Sequence, residues 1–273
     1  MGDTTAPTPP TVTTFHHMDD IEWTPVQRQR NADGSESCVR ERWPIIRPGF
    51  LSAYVHYEPG MIVRRHGHRS NHVVVVLDGS GWLGGVPVAT GSHMHVPLGA
   101  SFGPIVAGPD GLTAWETSFG EFGGWGDQPE LVEREFAARG VTPLPDPPLF
   151  IGDWFVDPRG DWGGERPSPK IDGLAEVLTA IDEVAPVAVA DGVDERRMID
   201  DPSFTSTILD LTPGASVDRA ADGAHRLVWV VAGSVVVDGR DCVADTHIEV
   251  PRGIAFLATA GATGARLLEL ADA

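Results

Sequence analysis

From Phe50 onward the chain runs in short apolar or alternating stretches, each closed by glycine or proline. "FLSAYVHY" at 50–57, "HVVVVLDG" at 72–79 and "SHMHVPLG" at 92–99 show the pattern. Val-rich runs of this length, bounded by turn residues, predict the strands of a sandwich or barrel. Two segments carry helical signals instead. "DQPELVEREFAARG" at 127–140 has a proline near its start, acids in its first turns and a terminal glycine. "SPKIDGLAEVLTAIDEVAP" at 168–186 places Ile171, Leu174, Leu178 and Ile181 on one helical face. Between them lies "VTPLPDPPLFIGDWFVDPRGDWGGERPSP", too apolar for a free linker and so expected to be ordered but irregular.

An internal repeat organises these runs. Shifted by 154 residues, "PGFLSAYVHYEPGMIVRRHGH" falls without a gap on "PSFTSTILDLTPGASVDRAAD". The register continues through Gly60/Gly214, Val74/Val228, Gly79/Gly233, Gly85/Gly239, Pro97/Pro251, Gly99/Gly253 and Phe102/Phe256. Shared turn residues over this distance mean equal strand and turn lengths built twice. The expected organisation is a disordered Thr/Pro-rich tail over 1–13, a first β unit over 14–125, a helical and Trp/Pro-rich connector over 126–190, and a second β unit over 191–273.

Composition narrows the function. The 273 residues carry 39 acidic against 20 basic side chains, a formal charge of −19, with Lys170 the single lysine. Such a chain repels nucleic acid and anionic membranes. Cys38 and Cys242 lie far apart and suggest no disulfide framework. The opening "MGDTTAPTPPTVTTF" has neither a basic nor an apolar signal region, and Ala6 stands where a myristoylation signal wants Ser or Thr. No apolar run reaches membrane-spanning length. A cytoplasmic protein is expected.

The candidate chemistry lies in "RRHGHRSNHVVVVLDGSG" at 64–81. Residues two apart on a strand share a face, so His66 and His68 project together. A short turn at "RSN" is expected to bring His72 onto the next strand beside them. Three neutral imidazoles on one face suit Fe(II), Zn(II), Ni(II) or Cu(II). The competing reading makes these histidines exposed residues at a loop edge.

The pattern Gly60–x5–His66–x–His68–x3–His72–x6–Gly79 resembles the first cupin motif, with His72 where glutamate is usual. Gly91–x5–Pro97–x–Gly99–x2–Phe102 resembles the second, with Phe102 where histidine is usual. The resemblance covers about 45–120 and again 200–270, so the chain is similar to bicupins: all-β dominated, with two jelly-roll barrels. It implies a mononuclear metal on His66, His68 and His72, left open for substrate because Phe102 cannot coordinate. Three-His cupin dioxygenases use Fe(II), which makes an Fe(II) dioxygenase acting on a chelating diketone, enol, aromatic or thiol the expectation. The alternatives are a Zn(II)-dependent cyclase, isomerase or lyase, and a non-catalytic small-molecule-binding cupin.

Further candidates follow from position. His95 is kept as a ligand or acid/base residue, and Tyr54 as a hydrogen-bond donor to bound oxygen. His93 is discounted because it aligns with His247 in a copy whose ligand positions read Ala220, Asp222 and Arg226. His56 is expected to point outward, and His16 and His17 to be solvated. Phe102 and Trp115 are placed in the substrate pocket. Phe119, Phe122, Trp125, Trp154 and Trp162 serve either as further walls or as plugs against the connector. The second barrel is expected to be structural, or else to hold a small anion near Arg226 and Arg219. Edge-strand pairing makes a homodimer a natural expectation.

Overall fold

The computed structural model describes residues 10–47, 50–147, 177–202 and 204–272. Clustering of contacts divides the chain into two compact units. Among the described residues, one contains 22–47, 50–147 and 177–178, and the other 10–21, 179–202 and 204–272.

In chain order the first elements are β1 (Thr14–His17), β2 (Thr24–Arg30), β3 (Glu36–Arg47), β4 (Phe50–Tyr57), β5 (Ile62–Val63) and β6 (His66–Leu83). β7 (Val86–Ala89), β8 (Ser92–Val96), β9 (Ile105–Gly126), α1 (Pro129–Arg139) and β10 (Thr142–Pro143) follow. After them come β11 (Val177–Ala180), β12 (Val187–Ala190), β13 (Val193–Asp201), β14 (Phe204–Leu211) and β15 (Ser216–Arg219). β16 (Arg226–Val237), β17 (Arg240–Val243), β18 (Thr246–Val250) and β19 (Phe256–Asp272) complete the series.

Two sheets hold these strands in matching order. The first runs β10-β2-β3-β4-β9-β6-β8-β11, with β5 on β9 and β7 on β6. The second runs β12-β13-β14-β19-β16-β18-β1, with β15 on β19 and β17 on β16. β4, β7 and β8 map onto β14, β17 and β18 at the shift of 154. Each sheet closes on aliphatic residues from alternate strand positions. Val39, Val55, Val74, Val76, Met94 and Ala114 belong to the first core, and Leu209, Val228, Val230, Ile248, Phe256 and Leu267 to the second. The all-β, duplicated architecture is as expected.

Gly79 and Gly233 show why the repeat keeps its glycines. Their φ values are +80° and +73°, and an added Cβ would lie 2.3 Å from the Gly111 carbonyl oxygen and 2.1 Å from that of Gly264. Only glycine fits both the left-handed backbone and the close strand approach. Past the second motif the shift becomes 153. Val74 faces Glu116 and Val228 faces Glu269, so one residue is missing from the second copy.

Three local expectations change. "RSN" forms no turn: β6 runs unbroken from His66 to Leu83, and the irregularity lies opposite, where β9 has three residues between the partners of His68 and Ser70, which are themselves separated by one. The second helix does not extend over 177–180, which form β11 beside β8; a sheet edge offering unpaired backbone groups overrides the helical period. Its earlier part, 168–176, lies outside the described residues. Thr14–His17, first in sequence, pairs as β1 with β18 of the second unit. His17 Nε2–H donates to the Ala244 carbonyl oxygen at 3.1 Å, so His17 is not a solvated tail residue. The helix over 129–139 forms as expected, ending at Gly140 with φ of +65°.

Candidate metal centre

His66, His68 and His72 all lie on β6 at even positions, which gives them one face. Gly67 makes this possible. A Cβ there would stand 2.3 Å from both the Ala100 carbonyl oxygen and the Trp125 indole, so "HGH" lets the strand press against Trp125. Trp125 is itself fixed by its Nε1–H donating to Ser101 Oγ at 3.0 Å.

The three rings converge. His66 and His68 have centroids 5.0 Å apart with perpendicular planes, and His68 and His72 are 4.6 Å apart at 88°. Phe102 packs against all three, at 4.4 Å from His66, 6.0 Å from His68 and 5.3 Å from His72. Its ring occupies the position expected from the sequence and supplies no donor.

Hydrogen bonds and burial set the state of these groups. His66 Nδ1 lies 2.7 Å from the Arg64 carbonyl oxygen, which makes Nδ1 the protonated nitrogen and leaves Nε2 with the lone pair. Burial pushes its pKa down to about 4, so the ring is neutral near pH 7. His72 is buried, with Nε2 3.2 Å from Glu116 Oε2. Its Nδ1 is buried and without a hydrogen-bond partner.

Glu116 is the residue that reading the sequence missed. It sits on β9, opposite Val74, and its Oε1 accepts a hydrogen bond from the Tyr57 hydroxyl. Burial works to raise its pKa, but His72 and Tyr57 outweigh it and the net shift is downward. Burial and the neighbouring Glu116 carboxylate push the Tyr57 phenol well above its ordinary value. The signal for Glu116 was present in Glu269, its counterpart in the second copy, but the one-residue slip hides the match.

A cavity of about 800 Å³, its open mouth included, leads to the triad. Val26, Val39, Leu51, Ala53, Val55 and Val63 line it, with Tyr57, Glu41, Glu116, Ser118, Gln27, Arg64 and Asp146 as polar members. Phe102, Tyr54, Trp115 and His95 are not in this lining: Phe102 is buried in the first core against the imidazoles, and the other three are displaced by strand alternation. On β4 the inward residues are Ala53, Val55 and Tyr57, so Tyr54 lies on the other face, 5.5 Å from the Trp23 ring. On β9 Glu116 and Ser118 face inward, and Trp115 donates from Nε1 to Ser52 Oγ at 2.7 Å on the far side. On β8 Met94 and Val96 enter the core, leaving His93 and His95 buried on the opposite face. His56 also lies there, 2.9 Å from Thr113 Oγ1. Trp154, Trp162 and the Phe122 side chain lie outside the described residues.

In the second barrel an ion pair replaces the triad. Arg226, at the His72 position, donates to both carboxylate oxygens of Asp222, at the His68 position, over 2.8 and 2.5 Å. Its Nε is 3.7 Å from Glu269, which also pairs with Arg219. Both guanidiniums are neutralised by carboxylates, so they do not form the anion site weighed from sequence.

No family model and no curated protein matches the sequence. Solved structures do match. A candidate dioxygenase from Nostoc punctiforme aligns with a TM-score of 0.64 at 14% identity, over 96% of this chain and 83% of its own. A variant of Bacillus subtilis oxalate decarboxylase aligns at 0.63 and 15% identity, over 96% and 78%. The 11S globulin of Wrightia tinctoria, described with an auxin-binding site, aligns at 0.57 and 11%, over 93% and 84%. The protein has the bicupin fold that these structures share.

Whether these residues suit a metal can be tested on their own chemistry. The donor chemistry fits: three imidazoles, with His66 neutral and already oriented through its Nδ1, line one cavity. Among the described residues, however, no three His, Cys, Asp or Glu side chains, these included, stand as placed where they could hold a metal ion together. The rings converge without completing a ligand set.

Proposed function

We propose that the protein is a metal-dependent oxygenase acting on a small chelating organic molecule, with His66, His68 and His72 holding Fe(II). The observation that supports this reading is the convergence of three imidazoles at the inner end of a cavity with aliphatic walls. When bound, Fe(II) supplies Lewis acidity and a route for electrons from substrate to dioxygen.

The chain's own residues do the rest. Arg64 holds the Nδ1 proton of His66 through its carbonyl and so aims the Nε2 lone pair at the metal. Phe102 closes one side of the triad with a group that cannot coordinate. Val39, Leu51, Ala53, Val55 and Val63 exclude water from the reacting molecule. With Trp115 on the far side of β9, these walls suit an aliphatic enol or diketone better than a flat aromatic ring.

The test is elemental analysis of protein purified without a chelating tag, followed by anaerobic Fe(II) loading and oxygen-electrode assays with diketones, catechols and thiols. Oxygen uptake with an aliphatic diketone is expected. Protein that carries one iron and consumes no oxygen with any of the panel refutes the oxygenase reading. One equivalent of zinc, with turnover unaffected by iron, points instead to non-redox chemistry. Mn(II) is the next metal to load, because the similar B. subtilis decarboxylase is described with Mn(II) centres.

A further inference from the structure

We propose that Glu116 is a fourth protein donor to the metal, supplying from β9 what Phe102 withholds at the end of the second motif. This rests on the metal reading above. Three observations carry it. The first is distance. Glu116 Oε2 and His72 Nε2 are 3.2 Å apart, close to the ~3 Å separating two donors that each lie about 2.1 Å from one ion at a right angle.

The second is preparation of the carboxylate. Glu116 lines the same cavity as the three histidines. Its Oε1 is occupied by the Tyr57 hydroxyl, which fixes the group and turns Oε2 towards His72. An oriented, hydrogen-bonded carboxylate is what a ligating glutamate needs.

The third comes from the other barrel. Glu269 occupies the equivalent position on β19, opposite Val228 as Glu116 is opposite Val74. There it faces a cation, the Arg226 guanidinium, standing at the His72 position. The duplicated strand thus delivers a carboxylate to the cation position in both copies. One copy meets it with Arg226, and the other with the His72 imidazole.

The two possible roles of Glu116, ligand and mere orienter of His72, predict different spectra. Full-length protein is loaded with Co(II) for absorption spectroscopy and with Mn(II) for electron paramagnetic resonance. Affinity is measured by competition with a chelator. Glu116→Gln keeps an oxygen acceptor for His72 but lacks the carboxylate charge. It is expected to weaken metal binding at least about tenfold and to shift the Co(II) bands. A Glu116→Gln protein with affinity within about twofold of wild type and an unchanged Co(II) spectrum overturns the proposal. Should Glu116→Gln not fold, Glu116→Asp keeps the charge one methylene shorter; shifted Co(II) bands support the proposal and unchanged bands overturn it. His66→Ala separates the two levels of inference. If it abolishes binding while Glu116→Gln does not, only the role of Glu116 fails. If wild type binds no metal, or His66→Ala binds it as tightly as wild type, the metal reading fails and this inference with it.

Discussion

The two barrels are the same piece of backbone put to different uses. β4, β7 and β8 recur as β14, β17 and β18, and left-handed turns recur in pairs: Gly79 with Gly233, Gly85 with Gly239, Gly99 with Gly253. Where the first barrel has His66, His68 and His72, the second has Ala220, Asp222 and Arg226. In the second, the cation and its counter-charge are both built into the chain, and Tyr57 of the first is replaced by Leu211 in the core. Strand pattern and turn chemistry make the barrel; a few residues at one end set the copies apart, an ion pair in one and three imidazoles in the other.

Writing the second barrel's residues into the first should have the largest effect. The triple substitution His66→Ala, His68→Asp, His72→Arg is expected to lower metal affinity at least about a hundredfold. Secondary structure by circular dichroism should be unchanged, and retained metal would break the comparison. Next comes Gly67, whose counterpart is Ala221. Gly67→Ala drives a Cβ into Trp125 and Ala100 and should cost about 1–3 kcal/mol in urea unfolding. Ala221→Gly should cost about 1 kcal/mol or less. Equal losses at the two sites would show that the close approach at "HGH" is not special to the first barrel.

Arg226 gives a smaller, reciprocal test. Arg226→Ala leaves Glu269 without one cation and should destabilise by about 1–3 kcal/mol with metal content unchanged. Arg226→Met, which refills the volume, should recover part of the loss. The smallest effect concerns pH. The hydrogen bonds from Arg226 hold the Asp222 carboxyl down at about 2. A depressed carboxylate stabilises fully above its unfolded value, near 3.9, and loses that contribution as pH falls through the folded value. Asp222 is about half exposed, so solvent screening limits the effect to a few tenths of a kcal/mol. Denaturation of wild type and Asp222→Asn at pH 7, 4 and 2 should show a small gap that is present at pH 7 and has mostly narrowed at pH 2.

Much of this was legible along the chain. Period-two alternation, the glycine turns and the 154-residue shift gave two barrels, because strand and turn lengths are written locally. The three histidines and Phe102 could be read from spacing on one strand and its neighbouring motif. Tyr54, Trp115 and His95 went astray for a shared reason. Each was one residue out of phase with the inward face, and a strand's phase is set by what its neighbours bury. Tyr57 and Glu116, in the inward phase, hold the positions that Tyr54 and Trp115 were given.

By itself, then, the sequence determined the repeat, its strand class and the histidine-bearing copy, since each follows from local periodicity and residue chemistry. Only the tertiary structure decided which face of β4, β8 and β9 looks inward, that β1 and β11 join sheets remote from their place in the sequence, and that Glu116 meets His72. Those outcomes depend on pairing between strands far apart in the chain, where register is fixed by the whole sheet and by a one-residue difference between copies that no local pattern announces.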